Sequence, residues 1–330
     1  MLRFMDRIED VSREEWDALL ARSFRPSPFF SPRFLVPWSK YFAADHTLRI
    51  ARWEREGRAD GLIFLSRCAD CDGWELLGGE EVSDSMDAVV ASGEEERFWT
   101  GFLRAAKASL APGPLRMPNL VEGTPTLSLL PGICGELGIG FIIEETDRSP
   151  YLALPGSFED YVEGLGKKER HELRRKIRRT AESDPALSYR VTGTSGELAR
   201  DFPAFVALHR ASHPEKNRFM DGRMEKFFLE IAQEFFSVDG LRLAFLRGGK
   251  GDLAAAFQIE YGGVLYLYNS GFDPEAAAGT SPGLVLLSRC IEDAIGRGIR
   301  EYDFLRGRER YKYDLGGRDR VVYRADLRLP

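Results

Sequence analysis

The sequence predicts an α/β (α+β) protein built from two units, each with a mixed, mostly antiparallel sheet flanked by helices. Two observations predict this class. Hydrophobic patterns of period 2 and period 3.6 alternate along the whole chain. One order of elements, three strands followed by a helix and a fourth strand, also occurs twice. Corresponding strands lie at similar offsets, since Leu241 follows Leu48 by 193 residues and Val264 follows Trp74 by 190. The repetition indicates an internal duplication of architecture, with domains at 1–150 and 151–330.

The first half begins with a predicted helix at 12–22. Ser12 with Glu15 has the form of a capping box, and Trp16, Leu19 and Leu20 share one face. Four strands are predicted at 48–53, 61–67, 74–77 and 115–120, with a helix at 94–110 before the last of them. The segment 92–96 (SGEEE) places acids at the start of that helix, which would repel a phosphate.

The second half repeats this order. Strands are predicted at 241–247, 253–260, 264–270 and 299–305, with a helix at 283–297 whose apolar residues share one face. Between the halves, helices are predicted at 157–182, 198–209 and 223–236. The first of these contains a basic stretch at the junction of the two domains, with eight Lys or Arg among residues 167–179.

Composition is that of a globular protein, with 43% hydrophobic and 30% charged residues among 330. The net charge of −6 gives no general attraction to nucleic acid or anionic membranes. No apolar run is long enough to span a bilayer, and the segment MLRFMDRIED lacks an export signal, so a cytoplasmic location is predicted. Four cysteines give no disulfide framework, and Cys68-x-x-Cys71 is interpreted as a hairpin turn rather than a zinc or redox site.

The turn before the helix at 283–297 is the first candidate site. Thr280, Ser281, Gly283 and Leu284 surround a helix start whose first backbone N–H groups have no intrahelical partner, and such an end binds anions, typically phosphate. The alternative interpretation is an ordinary start, with Ser281 as N-cap and Pro282 at the first helical position. Both interpretations stay open on sequence alone.

A cluster of acidic, basic and phenolic residues follows the last predicted strand. Asp303 is a candidate to orient or deprotonate an ammonium acceptor, and Lys312 or Arg306 to stabilise negative charge on a carbonyl oxygen. The alternative is a solvated network of salt bridges. His209 is a candidate catalytic base, although its spacing from Phe202 and Phe205 also fits a packed histidine.

The basic stretch 167–179 predicts an anionic partner. Only Glu169 and Glu172 lie within it, so most of its positive charges are expected to be unpaired. Three partners are compatible with this charge: the phosphates of a cofactor, tRNA, or an anionic lipid surface at the periphery of the inner membrane.

Several segments together resemble the tandem GNAT N-acetyltransferases, and more narrowly the CelD-type, cellulose-biosynthesis-associated branch, distantly related to the FemAB peptidyltransferases. These segments are GFDP at 271–274, SPGL at 281–284, YDFLRG at 302–307 and YKY at 311–313, with the basic stretch as a further shared feature. The turn departs from the ordinary GNAT signature, because AGTSPG stands at 278–283 in place of Arg/Gln-x-x-Gly-x-Gly.

The resemblance implies a GNAT fold, an acyl-coenzyme A donor, no metal, and an amine acceptor. It implies that Asn269 or Tyr268 hydrogen-bonds the acyl carbonyl and that Tyr311 donates a proton to the departing thiolate. The second unit, which has the phosphate turn, is expected to hold the donor. The acceptor stays open among a long-chain base, an amino sugar and an amino acid.

Two alternatives remain from the sequence. One is a FemAB-like transferase that uses aminoacyl-tRNA, the single case in which a nucleic acid partner is expected. The other is a non-catalytic accessory of polysaccharide or lipid assembly.

Overall fold

The computed structural model describes residues 1–275 and 279–329. The chain divides into two compact units, unit 1 (Met1–Arg148 with Arg320–Pro330) and unit 2 (Ser149–Asp319). The sequence prediction assigned residues 320–330 to the second domain, whereas in the structure they lie with unit 1. The predicted fold class, mixed sheets flanked by helices in two units, is confirmed.

Unit 1 combines four α-helices with eight strands. Two short 3₁₀ turns lie at Ile8–Asp10 and Pro28–Phe30. The helices are α1 (Arg13–Leu20), α2 (Pro32–Phe42), α3 (Glu95–Ser109) and α4 (Pro125–Leu137). The strands are β1 (Leu2–Met5), β2 (His46–Arg55), β3 (Arg58–Cys68), β4 (Trp74–Leu76), β5 (Val89–Val90), β6 (Gly113–Val121), the first part of β7 (Gly140–Ala153), and β13 (Arg318–Leu329).

The strands of unit 1 follow the order β1-β2-β3-β4-β6-β13, with β5 against β3. The pairings are antiparallel except for the parallel pair β4–β6. The core is the apolar face of α3 packed on this sheet, where Phe98, Trp99 and Phe102 are fully buried. Their spacing of three and four residues places them on one side of the helix.

Unit 2 has seven helices and the remaining strands among its described residues. The helices are α5 (Phe158–Gly164), α6 (Lys167–Ser183), α7 (Ser195–Ser212), α8 (Pro214–Phe219), α9 (Gly222–Phe236), α10 (Pro282–Gly296) and α11 (Arg310–Asp314). The strands are the end of β7, β8 (Ser188–Val191), β9 (Leu241–Gly248), β10 (Gly251–Tyr261), β11 (Val264–Phe272) and β12 (Glu301–Asp303). The segment 157–182, predicted as one helical region, is thus two helices that meet at residues 165–166.

The strands of unit 2 follow the order β7-β12-β11-β10-β9-β8, and only β11 and β12 are parallel. Helix α10 covers one face of the sheet, where Leu265 and Leu267 join its core. Helices α7 and α9 cover the opposite face, where Phe228 of α9 stacks on Tyr268 with ring centres 5.0 Å apart. The unit is therefore a sheet with helices on both faces.

A β-bulge interrupts the pairing of β11 with β10. Phe257 pairs with Asn269 and Gln258 pairs with Leu267, so Tyr268 is an extra residue on β11. A bulge re-aims side chains, and here Tyr268 and Asn269 both contact helices of the same face. Consecutive residues of a regular strand would point to opposite faces.

Strand β12 is shorter than the predicted segment 299–305. Leu305 has a φ of 60°, and its N–H donates to the Asp303 carboxylate at 2.8 Å. The left-handed conformation ends the strand, and the Asp303 side chain satisfies the backbone group that leaves the ladder. Register between β11 and β12 covers only Val264–Tyr266, so the later part of β11 has its ladder with β10.

Cys68 and Cys71 form a disulfide directly after β3. The turn predicted here is present. The disulfide was not predicted from the sequence, so that part of the interpretation was wrong. Cys134 and Cys290 are buried thiols. Among residues 1–275 and 279–329, no helix has both the length and the apolar character that crossing a bilayer requires.

Candidate functional site

The start of α10 leaves backbone donors without intrahelical partners. Ser281 is the N-cap residue, yet its side chain accepts no capping hydrogen bond from the described residues, and Pro282 has no N–H. The first helical bond runs from Val285 N to Ser281 O at 3.0 Å. The N–H groups of Gly283 and Leu284 therefore precede the helical ladder and remain available for an anion. Of the predicted turn 278–283, Ala278 lies outside the described residues.

The position of Gly283 has room for a β-carbon beside the helix start. A β-carbon at Gly283 would lie 3.7 Å from Phe272 Cδ1, which is ordinary van der Waals contact. Gly279 has a φ of 78°, a conformation that glycine adopts without strain. A β-carbon at Gly279 would lie 3.3 Å from Nη2 of Arg179, so the basic helix α6 reaches this turn.

Half of the cations in the basic stretch prove to be paired. Arg170 and Arg174 each bind Glu163 of α5 at 2.7 Å. Arg175 binds Glu172 at 2.8 Å, and Arg178 lies 3.8 Å from Glu182. The prediction that most of these charges are unpaired was therefore wrong, because it counted only the acids within 167–179. Among the described residues, four cations form no ion pair: Lys167, Lys168, Lys176 and Arg179.

Two of these cations line a cavity of about 400 Å³ beside the start of α10. Lys168 and Lys176 lie two helical turns apart on α6, and Leu284 contributes the α10 side. Arg310 and Asp314 of α11, which pair with each other at 3.6 Å, form another side. Glu169, Glu172 and Leu173 of α6 complete the wall, and Glu172 is paired with Arg175. The cavity thus places two unpaired lysines near the free amides of α10, beside the carboxylates of Glu169, Glu172 and Asp314.

Lys312 is buried and its donors are used. It is 2% exposed, and Nζ donates to the carbonyls of Leu305, Arg306 and Gly307 at 3.0, 2.7 and 3.2 Å. It also pairs with Glu309 at 3.0 Å. An ammonium has three donors, so this one is saturated by the segment between β12 and α11 and fixes its shape.

Asp303, the last residue of β12, also forms a hydrogen bond to the backbone of this segment. It is 4% exposed, and beyond Leu305 N it accepts from Ser149 Oγ at 3.4 Å. Arg306 and Tyr311 lie half-buried in or next to this segment, and Tyr311 packs against the α10 core. The four candidate residues Asp303, Arg306, Tyr311 and Lys312 are thus close together in the structure. The side chains of Asp303 and Lys312, however, form hydrogen bonds to the backbone of this segment.

His209 is 1% exposed at the end of α7, with its ring between Phe205 and Phe219 at 5.7 and 6.1 Å. Its Nε2 lies 2.7 Å from Asn269 Oδ1. An amide oxygen only accepts, so this geometry assigns the proton to Nε2. Nδ1 has no hydrogen-bond partner among the described residues. Burial, and then the charge of Lys216, lower the pKa of His209 to about 4, so the imidazole is neutral at physiological pH.

Lys216 of α8 is a site residue that the sequence analysis missed. Its Nζ donates to the carbonyl of Ser270 on β11 at 2.5 Å. Burial lowers the pKa of Lys216, while Glu309 opposes and Lys312 reinforces that shift. The run PEKNRF around it reads as a solvated helix end, and no spacing in the sequence relates it to residue 270.

His213 is exposed as the N-cap of α8, where Glu215 N donates to its Nδ1 at 3.3 Å. No group of three or more His, Cys, Asp or Glu within the described ranges is arranged to hold a metal ion.

Comparison with known families and structures decides what kind of domain holds this site. Residues 167–313 match the family model described as "Acetyltransferase (GNAT) domain". Most of unit 2 is therefore similar to a GNAT domain. The matched range contains the basic stretch, the α10 start and the 303–312 segment. A search of the curated proteins by sequence finds no match to this chain.

Solved structures with a similar fold cover nearly the whole chain. The crystal structure of FemX aligns with a TM-score of 0.70 at 10% identity, covering 98% of this chain and 96% of that one. A conserved protein of unknown function from Bacteroides thetaiotaomicron gives 0.65 at 14%, covering both chains completely, 100% each. The C-terminal domain of a protein from Agrobacterium fabrum described as a lysylphosphatidylglycerol synthetase gives 0.60 at 11%, covering 95% and 90%.

At 10–14% identity these structures show a shared fold, and the family match shows that residues 167–313 are similar to a GNAT acetyltransferase domain. The narrower CelD-type resemblance is not among these matches and stays a prediction.

Proposed function

We propose that the protein is an N-acyltransferase that moves an acyl group from a coenzyme A thioester directly to an amine. One observation carries this proposal: the unpartnered amides of Gly283 and Leu284 lie beside a cavity lined by the unpaired Lys168 and Lys176. Helix N-termini and lysines both bind phosphate oxygens. The arrangement suits a diphosphate, and the GNAT match favours the one in coenzyme A. Thr280 and Ser281 flank the same amides.

Direct transfer requires that the protein orient the acyl carbonyl and stabilise the negative charge that develops on its oxygen. It also requires that the amine lose a proton and that the departing thiolate gain one. In this proposal Asn269 presents its Nδ2 donors to the carbonyl oxygen, because its Oδ1 is held by His209. His209 is thereby a positioning residue. Tyr311 is the proposed proton donor to the thiolate, and Arg306 a proposed contact for negative charge.

Asp303 and Lys312 act on the reaction through the backbone in this proposal. Both bind the segment 303–312 by hydrogen bonds to its main chain, and that segment carries Arg306 and Tyr311. Loss of either would therefore displace the groups that touch the substrate. A conservative Lys312→Arg substitution cannot reproduce three converging carbonyl bonds, because the guanidinium is planar.

Ligand-dependent stabilisation tests the proposal. Acyl-coenzyme A at about one hundred times its dissociation constant should stabilise the folded protein by about 2.7 kcal/mol, which raises Tm by several degrees. Adenosine, which lacks the diphosphate, is the control and should give no shift. Mass spectrometry of species retained on the purified protein would identify the acyl group. Absence of both stabilisation and retained thioester would contradict the proposed donor.

A second candidate is a FemAB-like transferase that takes its group from aminoacyl-tRNA. The unpaired Lys167, Lys168, Lys176 and Arg179 favour it, since exposed cations on one helix bind a polyanion. RNA that copurifies with the protein and dissociates steeply with salt would support this donor in place of coenzyme A. If the protein binds neither acyl-coenzyme A nor RNA, the remaining candidate is the non-catalytic accessory role in lipid or polysaccharide assembly. Under either enzymatic proposal the reaction belongs in the cytoplasm.

A further inference from the structure

A cluster of three charged residues, Lys216, Glu309 and Lys312, lies in unit 2, and Lys216 ties it to Ser270, next to Asn269 on β11. Lys216 of α8 donates to the Ser270 carbonyl at 2.5 Å. Glu309 and Lys312, from the segment before α11 and from α11 itself, are close enough to alter the pKa of Lys216. This part of β11 lies beyond the end of its pairing with β12 at Tyr266. A substrate that approaches Asn269 from this side meets the cluster.

The two lysines of the cluster differ in how their donors are used. The three donors of Lys312 are matched by three carbonyls, and Glu309 pairs with the same ammonium at 3.0 Å. Lys216 has one hydrogen-bond acceptor among the described residues, the Ser270 carbonyl. Since an ammonium has three donors, two donors of Lys216 have no protein acceptor within residues 1–275 and 279–329.

The charges of the cluster do not balance. Lys216 and Lys312 carry two positive charges, and Glu309, which is already paired with Lys312, carries one negative charge. Removal of an ammonium from water is costly unless an anion or further acceptors replace the water. Lys216 is half-buried, and burial is the first cause of its lowered pKa, so its ammonium bears part of this cost. An external anion at Lys216 would remove the imbalance and fill its free donors.

We infer that Lys216 binds an anionic group, a carboxylate or a phosphate, of the acceptor. The anion belongs to the acceptor because the proposed diphosphate site is elsewhere in unit 2, at the start of α10 and on α6, whereas Lys216 lies on α8 beside α7. Binding there places the acceptor amine next to Asn269. The inference rests on the proposed function, since it names the acceptor class of the same transfer: amines that carry a negative charge a few bonds away.

The inference can be tested without turnover by comparing the binding of N-acetylated products in pairs, in which one member carries a negative charge and the other is its neutral analogue. The protein is labelled with ¹³C at lysine Cε, and the Lys216 signal is assigned by its loss in Lys216→Met. N-acetylglycine is compared with N-acetylglycinamide, and the N-acetyl derivative of phosphoethanolamine with N-acetylethanolamine. We expect the Lys216 signal to respond to an anionic member at a concentration about tenfold lower than to its neutral partner, as a charge-assisted hydrogen bond predicts. The pair with the larger contrast distinguishes carboxylate from phosphate.

Two variants control the assignment. Because neither variant has a Lys216 signal, their binding and that of the wild type are compared by isothermal titration calorimetry. Lys216→Arg keeps the charge and should retain the preference for the anionic member, whereas Lys216→Met should bind both members equally. Lys226, exposed on α9, is the matched control, and Lys226→Met should behave as the wild type. Equal responses of wild-type Lys216 to anionic and neutral members, or a preference that survives in Lys216→Met, would overturn the inference.

Failure of the proposed function has a different signature. If no acyl-coenzyme A stabilises the protein but Lys216 still selects the anionic member of a pair, the donor is wrong and the anion site stands. If acyl-coenzyme A binds and Lys216 shows no selectivity, the donor stands and the acceptor class is wrong.

Discussion

The two units begin their corresponding helices in opposite ways. In unit 1, α3 starts with Glu94, Glu95 and Glu96, where Gly93 N donates to Glu95 at 2.7 Å and Glu94 pairs with Arg55 at 2.8 Å. In unit 2, α10 starts with Pro282 and Gly283, with no acid in its first turn and no side-chain cap. The start of α3 thus carries three carboxylates, which repel an external anion, whereas the first turn of α10 carries none. Of these two helix starts, that of α10 is therefore the one whose charge suits an anion.

The largest effect is expected from a carboxylate introduced at the start of α10, because it would make this helix start resemble that of α3. Gly283→Asp places a negative charge where the diphosphate is proposed to bind, and we expect roughly a hundredfold loss of acyl-coenzyme A affinity. The fold should survive, because acids stabilise helix starts and the site has room for a β-carbon. Isothermal titration calorimetry measures the change.

The control for that variant is Gly283→Asn, which has nearly the same shape without the charge. It should lose much less affinity than Gly283→Asp. The reciprocal change in unit 1, Glu95→Gln, should leave affinity unchanged. A similar loss in both Gly283 variants would show that shape, and not charge, decides binding at this helix start.

Buried titratable groups provide a second contrast between the units. In unit 2, the pKa of His209 is lowered to about 4 by burial. The unfolded imidazole takes up a proton below about pH 6.5, so stability is lost as the pH falls through the window between these values, by about 2 kcal/mol near pH 5. His209→Gln should remove that loss, as measured by the urea midpoint of unfolding at about pH 7 and about pH 5.

Unit 1 contains the opposite case. Burial raises the pKa of Asp87 to about 6, although Thr124 and Thr126 donate hydrogen bonds to it. Its folded form binds a proton before the unfolded form does, so stability is gained as the pH falls from about 6 towards 4. Asp87→Asn should therefore steepen the acid loss that His209→Gln abolishes. His171→Gln, at an exposed site on α6, is the control and should change neither slope.

The smallest effect is expected within the basic helix, where paired and unpaired cations can be compared directly. Lys176→Gln should weaken acyl-coenzyme A binding about threefold and reduce its salt dependence, since Lys176 lines the cavity without an ion pair. Arg174→Gln is the matched control, because Glu163 and Glu159 already hold that guanidinium. Equal losses in the two variants would mean that the helix acts only through its overall charge.

Local patterns were sufficient to predict most of the helices and strands that form each unit. Helix α1 begins at the predicted N-cap, where Ser12 accepts from Glu15 N, and α10 begins one residue before its predicted start. The elements that were missed lack a clear period. Helix α2 has prolines at 32 and 37, and α4 has prolines at 125 and 131. Strand β7 is largely exposed, so its sequence does not alternate as a half-buried strand does.

Knowledge of the site required three-dimensional contacts that sequence separation conceals. The identity of the acids that neutralise α6 depends on the position of α5, and the pairing of His209 with Asn269 spans 60 residues. The bulge at Tyr268 adds one residue to a strand without any glycine or proline to mark it. Lys216 resembled any solvated lysine until its carbonyl partner was known. Sequence therefore located the neighbourhood of the site, and packing determined which of its polar groups are free.

Strand β13 has a consequence for biosynthesis. Residues 322–329 pair with β6 of unit 1, yet they follow all of unit 2 in the chain. During synthesis, unit 2 can therefore complete its sheet before the last strand of unit 1 has been made. Until then the edge of β6 is unpaired and can pair with strands of other chains. A fragment that ends at residue 148 would keep that vulnerability permanently.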